Sequence, residues 1–230
     1  MQKRGLSHIE VILAFVLFVG FLIFGLYFFN PLDSGRVVDS SLIYTINEIV
    51  ENTSAFTLRY AVSLNTSKES VEFPLPRENT DGGGFRVETH NGERIVSRYD
   101  GINVAFDRVD DFVYITFGPF ESEQGEIGNF QRLNSREYSL SSSNREKVII
   151  EGSFEDLNRS YYSDYYDLKK EFNIPNRIDF SAEIVFADGQ KISLERSAPV
   201  GLDVFSKVER KKVMRNDGRL EFADLTVKVW

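Results

Sequence analysis

The chain has 230 residues and a net charge of −8, and 42% of its residues are hydrophobic while 27% are charged. This acidic balance argues against nucleic acid as a partner, because phosphate binding requires a basic face. The sequence contains no cysteine, which excludes disulfide frameworks, thiolate metal sites and cysteine nucleophiles.

An uncharged, strongly apolar segment runs from Val11 to Phe29. A helix of about 20 apolar residues spans the roughly 30 Å hydrocarbon core of a bilayer. Lys3 and Arg4 precede this segment and favour a cytoplasmic N-terminus, which places the residues after the segment outside. The segment is longer than the apolar part of a cleavable secretory signal and has no small-residue cleavage site at its end. The sequence therefore predicts a single transmembrane helix.

Glu10 lies at the start of this apolar segment. A carboxylate near the centre of a bilayer costs about 2.5–3.5 kcal/mol on insertion scales, so such groups usually have a partner and a function. A plain membrane anchor explains the apolar segment but gives no role to Gly5. The helix macrodipole alone can rationalise a glutamate near a helix start.

The basic pair is followed by Gly5, Leu6 and, five residues after the glycine, Glu10. This order, continued by an unbroken apolar run, resembles the class III signal of type IV pilins and pseudopilins over residues 3–29. The resemblance implies that a membrane peptidase cuts between Gly5 and Leu6 and leaves the helix in place. It also implies that Glu10 pairs with the new N-terminal amine of a neighbouring subunit. Leu6 departs from the aromatic residue common in bacterial members, and the short leader looks closer to archaeal pilin-like proteins.

The resemblance implies a structural subunit of a type IV pilus-like filament or pseudopilus, with no enzymatic activity, no cofactor and no bound metal. Its expected partners are the membrane, a prepilin peptidase and like or related pilin subunits. It divides the chain into a leader (1–5), a transmembrane and filament-core helix (6–30) and an extracytoplasmic head (31–230). The alternative is an uncleaved, single-pass protein of the cell membrane that presents its head at the surface for binding or adhesion.

The segment after the apolar run is expected to contain a hinge and a second helix. Residues 30–35 include Pro31 and several turn-forming residues, which predicts the hinge. Asp39 or Ser40 can then cap a helix with apolar residues at intervals of three and four. These apolar residues are Leu42, Ile43, Ile46, Ile49 and Val50.

Most of the remaining sequence shows the patterns of β-strands. Turns are predicted at Asn91-Gly92, Asp188-Gly189 and Asp217-Gly218, which separate strand-like runs. Polar stretches at residues 81–84 and 139–144 are expected to be loops. Apolar residues alternate in three places: Phe56, Leu58, Tyr60 and Val62; Phe180, Ala182, Ile184 and Phe186; and Leu225, Val227 and Val229.

One further helix is predicted between Ser153, a candidate N-cap, and Pro175. Tyr162 and Tyr166 lie off its apolar stripe and are free to face solvent or a neighbouring subunit. The stripe consists of Leu157, Tyr161, Tyr165, Leu168 and Phe172. The predicted fold class is α+β: the transmembrane helix, an antiparallel, sandwich-like β-rich head and one additional helix.

The sequence offers no convergent set of catalytic residues. His8 lies in the membrane-entry segment, so a histidine-based triad would depend on His90 alone, beside a predicted turn. Asp107, Asp110 and Asp111 can supply oxygen ligands, but they lack the order of an EF-hand. A solvated loop is therefore favoured over a calcium site.

The sequence also predicts two features of the surface of the head. Asn52, Asn65 and Asn158 each begin an Asn-X-Ser/Thr sequon, which is compatible with a glycosylated surface. The basic cluster Lys207–Arg215 predicts a solvated edge strand, because lysine discourages pairing with a further strand. The alternative is a patch that meets an acidic surface on a neighbouring subunit or on a target cell.

Overall fold

The computed structural model describes residues 4–28, 34–76, 83–121, 125 and 128–230. The chain divides into two compact units, Met1–Ser41 and Leu42–Trp230. The described residues form four helices: α1 (Arg4–Phe28), α2 (Ser34–Thr53), α3 (Glu151–Ser163) and α4 (Tyr165–Glu171). They also form thirteen strands: β1 (Ser54–Leu64), β2 (Ser70–Pro74), β3 (Gly84–Thr89), β4 (Arg94–Ile95), β5 (Ser97–Tyr99), β6 (Asn103–Asp107), β7 (Phe112–Gly118), β8 (Gln131–Arg132), β9 (Tyr138–Ile150), β10 (Phe180–Val185), β11 (Lys191–Leu194), β12 (Phe205–Met214) and β13 (Leu220–Val229).

The N-terminal unit contains α1, a continuous helix of 25 residues. It includes no proline, and its leucine and phenylalanine residues are compatible with uninterrupted helix. Counting only the described residues, no helix meets the length and hydropathy of a segment that crosses a bilayer.

Helix α2 begins at Ser34, so the prediction that Asp39 or Ser40 caps it is wrong. A side chain can cap a helix only where the preceding backbone is not helical, and here the backbone is already helical five residues earlier. Of the predicted hinge, residues 30–33 lie outside the described residues, and the remainder is helical. Leu42 and Ile46 are buried as predicted, whereas Ile43 is 48% exposed.

The strands form a large sheet and a small sheet. Within the described residues the large sheet has nine strands in the order β11-β10-β13-β12-β9-β1-β7-β3-β4, and the small sheet has four in the order β5-β6-β2-β8. Two of the pairings are parallel, β9 with β12 and β2 with β8, and the others are antiparallel. The predicted α+β class is therefore confirmed, with a large, mostly antiparallel sheet.

Buried side chains from both sheets form one hydrophobic core. Phe73 and Phe106 of the small sheet meet edge to face at 5.9 Å, and Phe117 of the large sheet lies 5.1 Å from Tyr99 of the small one. Such edge-to-face geometry is favourable between aromatic rings. The alternation predicted in β1 is only partly confirmed, since Phe56 is 39% exposed. The three other residues of that pattern, Leu58, Tyr60 and Val62, are buried.

A further apolar region is centred on Phe180 of β10, which is fully buried. The rings of Tyr161, Tyr165 and Phe172 lie 5.4, 5.7 and 6.3 Å from the ring of Phe180. All five residues of the predicted helical stripe are buried, as expected. The stripe therefore identified the packed face correctly.

The helix that carries this stripe is interrupted, which the sequence pattern did not predict. Asp164, with φ −148° and ψ 65°, separates α3 from α4, and its carboxylate accepts a hydrogen bond from the Asp167 N–H at 3.3 Å. This bond caps α4, so an aspartate inside the apolar pattern acts as a helix start. Helix α3 begins at Glu151, two residues before the predicted cap Ser153.

One other sequence prediction fails in the large sheet, and a second is confirmed only in part. Residues 139–144, expected as a loop, belong to β9 and pair with β1, for example Ser143 with Tyr60. The basic cluster Lys207–Arg215 lies mostly in β12, which is not at the edge of the sheet but between β13 and β9. Within the described residues, however, β12 pairs with β9 only through Val213 and Met214, so the basic residues before them pair with β13 alone and have a solvated edge, as predicted.

The three predicted turns are confirmed. Gly92, Gly189 and Gly218 have φ values of 84°, 84° and 83°, a region in which residues with a side chain are strained. They close the β3–β4, β10–β11 and β12–β13 hairpins. At Gly218 a side chain would also collide with the ring of Phe120.

Candidate functional site

The predicted cleavage site lies at the first turn of α1. Arg4, Gly5 and Leu6 are helical, and Lys3 lies outside the described residues. Helix termini fray and leave unpaired N–H groups, so a peptide bond in this turn is easier to expose to a peptidase than one farther along.

Glu10 lies four residues after Leu6 in the same continuous helix. Residues at this spacing lie on one helical face, and side chains of a helix point toward its N-terminus. The Glu10 side chain is exposed. A carboxylate is therefore available near the position at which cleavage would create an α-amine.

The three sequons occupy different environments. Asn52 is exposed at the end of α2, where its Nδ2 donates to the Glu48 carbonyl at 2.8 Å. Asn65 is exposed in the segment after β1. Asn158 is partly buried in α3, and its Nδ2 donates to the Ser193 carbonyl at 3.0 Å. Asn158 would have to break a tertiary hydrogen bond to accept a glycan, whereas Asn65 has the accessibility that modification requires.

The three aspartates weighed as calcium ligands each have a separate partner. Asp110 contacts His90, and the hydrogen bond from the imidazole is the main reason that the pKa of Asp110 lies below its ordinary value. Asp107 accepts a hydrogen bond from a serine hydroxyl of β2 at 2.6 Å, and Asp111 accepts one from Arg108 Nη2 at 2.5 Å. In the part of the chain that the structure describes, no group of three or more metal-ligating side chains is found.

Tyr162 and Tyr166, predicted to face outward, have 61% and 65% of their surface exposed. The Tyr162 hydroxyl donates to the Ser193 carbonyl at 3.3 Å and accepts from the Glu195 N–H at 2.9 Å. Tyr162 therefore links α3 to β11 and to the residue that follows it, and its hydroxyl is less free than the sequence pattern predicted. Tyr166 is the more open of the two.

The sequence pattern did not reveal two buried ionic clusters. Arg215 is 8% exposed and pairs with Glu151, which is 4% exposed, through Nε and Oε2 at 3.0 Å. Lys169 is fully buried, and its Nζ donates to Asp179 Oδ1 at 2.9 Å. Because the partners are 64 and 10 residues apart in the chain, no local motif marks them.

A third group missed by sequence reasoning surrounds a cavity of about 180 Å³ on the outer face of the small sheet. Its polar side chains come from three strands and from the turn between β5 and β6, so the grouping depends on strand register. The lining residues are Glu72, Arg98, Asp100, Asn103, Ala105 and Phe130.

No family model, no characterised protein and no solved structure matches this chain.

Proposed function

We propose that the chain is a structural subunit of a type IV pilus-like filament or pseudopilus, inserted in the membrane and processed by a prepilin peptidase. The observation that carries this proposal is the spacing of Gly5, Leu6 and Glu10 in front of an uncharged apolar run. In the proposed sequence of events the peptidase cuts after Gly5. The helix then holds the subunit in the membrane until it packs into a filament.

The surface of α1 supports a role in an apolar environment. Between Ile9 and Phe24, exposed large apolar side chains lie on every helical face, with exposed fractions from 46% at Leu22 to 73% at Phe21, while Val19 is partly buried. A surface helix of a globular protein has one apolar stripe, whereas a helix that is apolar all round is normally buried in protein or lipid. Lipid before assembly and neighbouring α1 helices after assembly would both provide such surroundings.

The position of Glu10 supports cleavage rather than simple anchoring. A carboxylate inside a bilayer costs free energy unless it has a partner. The proposed partner is the α-amine of Leu6, which would exist only after cleavage. The attraction of two opposite charges in a low dielectric is largely offset by their desolvation. We therefore assign to this pair the register between subunits rather than the bulk of filament stability.

The charge distribution supports a head outside the cytoplasm. Lys3 and Arg4 precede the apolar run, and positively charged flanks remain on the cytoplasmic side. Residues 31–230 would then form the extracytoplasmic part of a protein of the cell membrane or of a surface filament.

Cleavage is tested by intact mass measurement after co-expression of the full chain with a prepilin peptidase. We expect loss of residues 1–5, and we expect Gly5→Val to prevent that loss. Gly20→Val is the matched control, because no described atom lies within 4 Å of a Cβ at Gly20. A full-length wild-type chain, with the same peptidase active on an unrelated prepilin, would contradict the proposal.

Assembly is tested separately with Glu10→Gln, which keeps the side-chain shape and removes the charge. We expect normal membrane insertion and cleavage but few or no filaments by electron microscopy with labelling of the head. Unchanged assembly would contradict the role given to Glu10 while leaving the processing proposal intact.

The alternative is an uncleaved, single-pass membrane protein that presents its head for binding or adhesion. The macrodipole account of Glu10 favours it, because that account needs no cleavage. A full-length chain with dispersed surface labelling would support this alternative.

A further inference from the structure

The register of the small sheet places three side chains in a row on its outer face. Glu72 of β2 and Arg98 of β5 both pair with Ala105 of the strand between them, β6. Two strand spacings separate Glu72 from Arg98 by about 10 Å between backbones. Ala105 carries no side chain beyond Cβ and is 5% exposed, so the space between the two charged residues has a floor of backbone and methyl group.

One end of this space is rigid. Asp100 Oδ1 accepts hydrogen bonds from the N–H groups of Ile102 and Asn103 at 2.8 and 2.6 Å. These bonds hold the pKa of Asp100 below its ordinary value, so the carboxylate is ionised near neutral pH. The Asn103 side chain is fixed in turn, because its Nδ2 donates to Asp100 Oδ2 at 3.1 Å.

The Asn103 carboxamide leaves one acceptor unused. Asn103 Oδ1 is buried and, within the part of the chain that the structure describes, has no hydrogen-bond partner. The orientation of the amide is determined by Asp100, since an ionised carboxylate only accepts hydrogen bonds and the amide nitrogen must face it. An unpaired buried acceptor is destabilising, so this end of the cavity is held in place at a cost in stability.

The cavity is lined by charges of both signs. Glu72 and Asp100 contribute two negative charges and Arg98 one positive charge, while Arg132 of β8 lies opposite Glu72 in the next strand. The lining therefore offers a ligand both acceptors and a donor rather than charges of one sign. Its acceptors are two carboxylates, and its donor is a guanidinium.

We propose that this cavity binds a neutral sugar ring. Each hydroxyl of a sugar donates and accepts, so one ring can satisfy the two carboxylates and the Arg98 guanidinium together. The Phe130 ring supplies an apolar wall for the C–H face of the sugar. This inference goes beyond the proposed function and does not rest on cleavage or assembly.

Binding is tested by saturation-transfer NMR on the full chain in detergent, with free glucose, galactose, mannose and N-acetylglucosamine as probes. We expect the wild type to bind at least one of them. Ala105→Leu should abolish binding because leucine fills the space above the sheet. Arg98→Met should weaken binding about tenfold or more, as loss of a charged hydrogen bond implies.

Arg159→Met is the matched control for Arg98→Met, because Arg159 lies on α3 with an exposed side chain. It should leave binding unchanged. If Ala105→Leu does not fold, as judged by circular dichroism, Phe130→Ala replaces it and should weaken binding by removing the apolar wall. The proposal is overturned if the wild type binds none of the four sugars, if the cavity variants bind as wild type does, or if glycine and glutamate bind in preference to every sugar.

Discussion

Arg215 connects three parts of the head through one guanidinium. Its Nε donates to Glu151 at the start of α3 at 3.0 Å, and its Nη1 donates to Glu221 of β13 at 2.9 Å. The guanidinium carbon lies 4.0 Å from the centre of the Phe186 ring. Although burial opposes the charge, the neighbouring carboxylates raise the pKa of Arg215 above its ordinary value. Several long-range contacts of the head therefore depend on the charged Arg215 side chain.

Arg215→Met is expected to destabilise the head by about 3 kcal/mol. Removal of one partner from a buried ion pair costs about 3–5 kcal/mol, because the other charge stays buried without compensation. Glu151 would retain one hydrogen bond, from the Asn216 N–H at 2.8 Å, which places the cost at the lower end of that range. For a domain of this size such a loss lowers the melting temperature by about 6–12 °C.

Thermal unfolding followed by near-ultraviolet circular dichroism on the full chain in detergent measures this change. Glu151→Gln should cost less, since Arg215 keeps Glu221, and the double variant should be less destabilised than the sum of the two single variants. Arg159→Met, an exposed arginine, is the matched control and should melt as wild type does. Strict additivity of the two changes, or an Arg215→Met variant that melts as the control does, would refute the reasoning.

Three other outcomes are expected. The hydrogen bond from the Asn134 N–H and contact with Lys68 lower the pKa of Glu137, so its stabilisation is present above the ordinary value of 4.5 and is lost as the pH falls through the folded-state pKa. The melting temperatures of wild type and Glu137→Gln should therefore differ at neutral pH and converge in acid, and a constant difference would contradict this. Phe180→Ala should cost about 3–5 kcal/mol in denaturant unfolding, because it opens a cavity among three aromatic rings. In a host that glycosylates sequons, peptide mass spectrometry should find the glycan at Asn65 and not at Asn158; the reverse occupancy would be inconsistent with the structure.

The parts of the fold that follow local rules were predictable from the sequence. Gly92 and Gly189 follow polar residues in tight turns, where glycine tolerates a positive φ. The alternation from Phe180 to Phe186 marks a strand with one buried face, and every second residue there is indeed buried. These signals depend only on neighbouring residues.

Other elements could not be recognised locally. Residues 139–144 are exposed on both faces of β9, so no alternation marks them, and only pairing with β1 makes them a strand. Asp164 interrupts a helical pattern that is otherwise continuous in its apolar positions. An aspartate that can cap a helix is a local signal for a helix start. The helical spacing of the buried tyrosines on either side of Asp164 nevertheless predicts one continuous helix.

The same distinction applies to the candidate sites. Gly5 and Glu10 can be recognised in the sequence because the predicted signal is defined by their spacing along the chain ahead of an apolar run. The cavity over Ala105 is not recognisable, because Glu72 and Arg98 meet only through the register of three strands. Strand order and register depend on contacts between distant segments, so local patterns in one sequence do not reveal which residues they bring together.

The buried ionic clusters suggest how a chain without cysteine keeps one arrangement of its long-range contacts. Hydrophobic burial is not directional, so it favours many packings of similar sheets and helices. Lys169, by contrast, is fully buried and can be satisfied only where Asp179 Oδ1 and the Asn176 carbonyl, both at 2.9 Å, converge on its ammonium. Any packing that separates these groups leaves a buried charge unpaired, which is strongly unfavourable. We therefore expect Lys169→Met to preserve much of the stability but to reduce the dispersion of methyl signals in the NMR spectrum of the head, and fully retained dispersion would show that burial alone selects the packing.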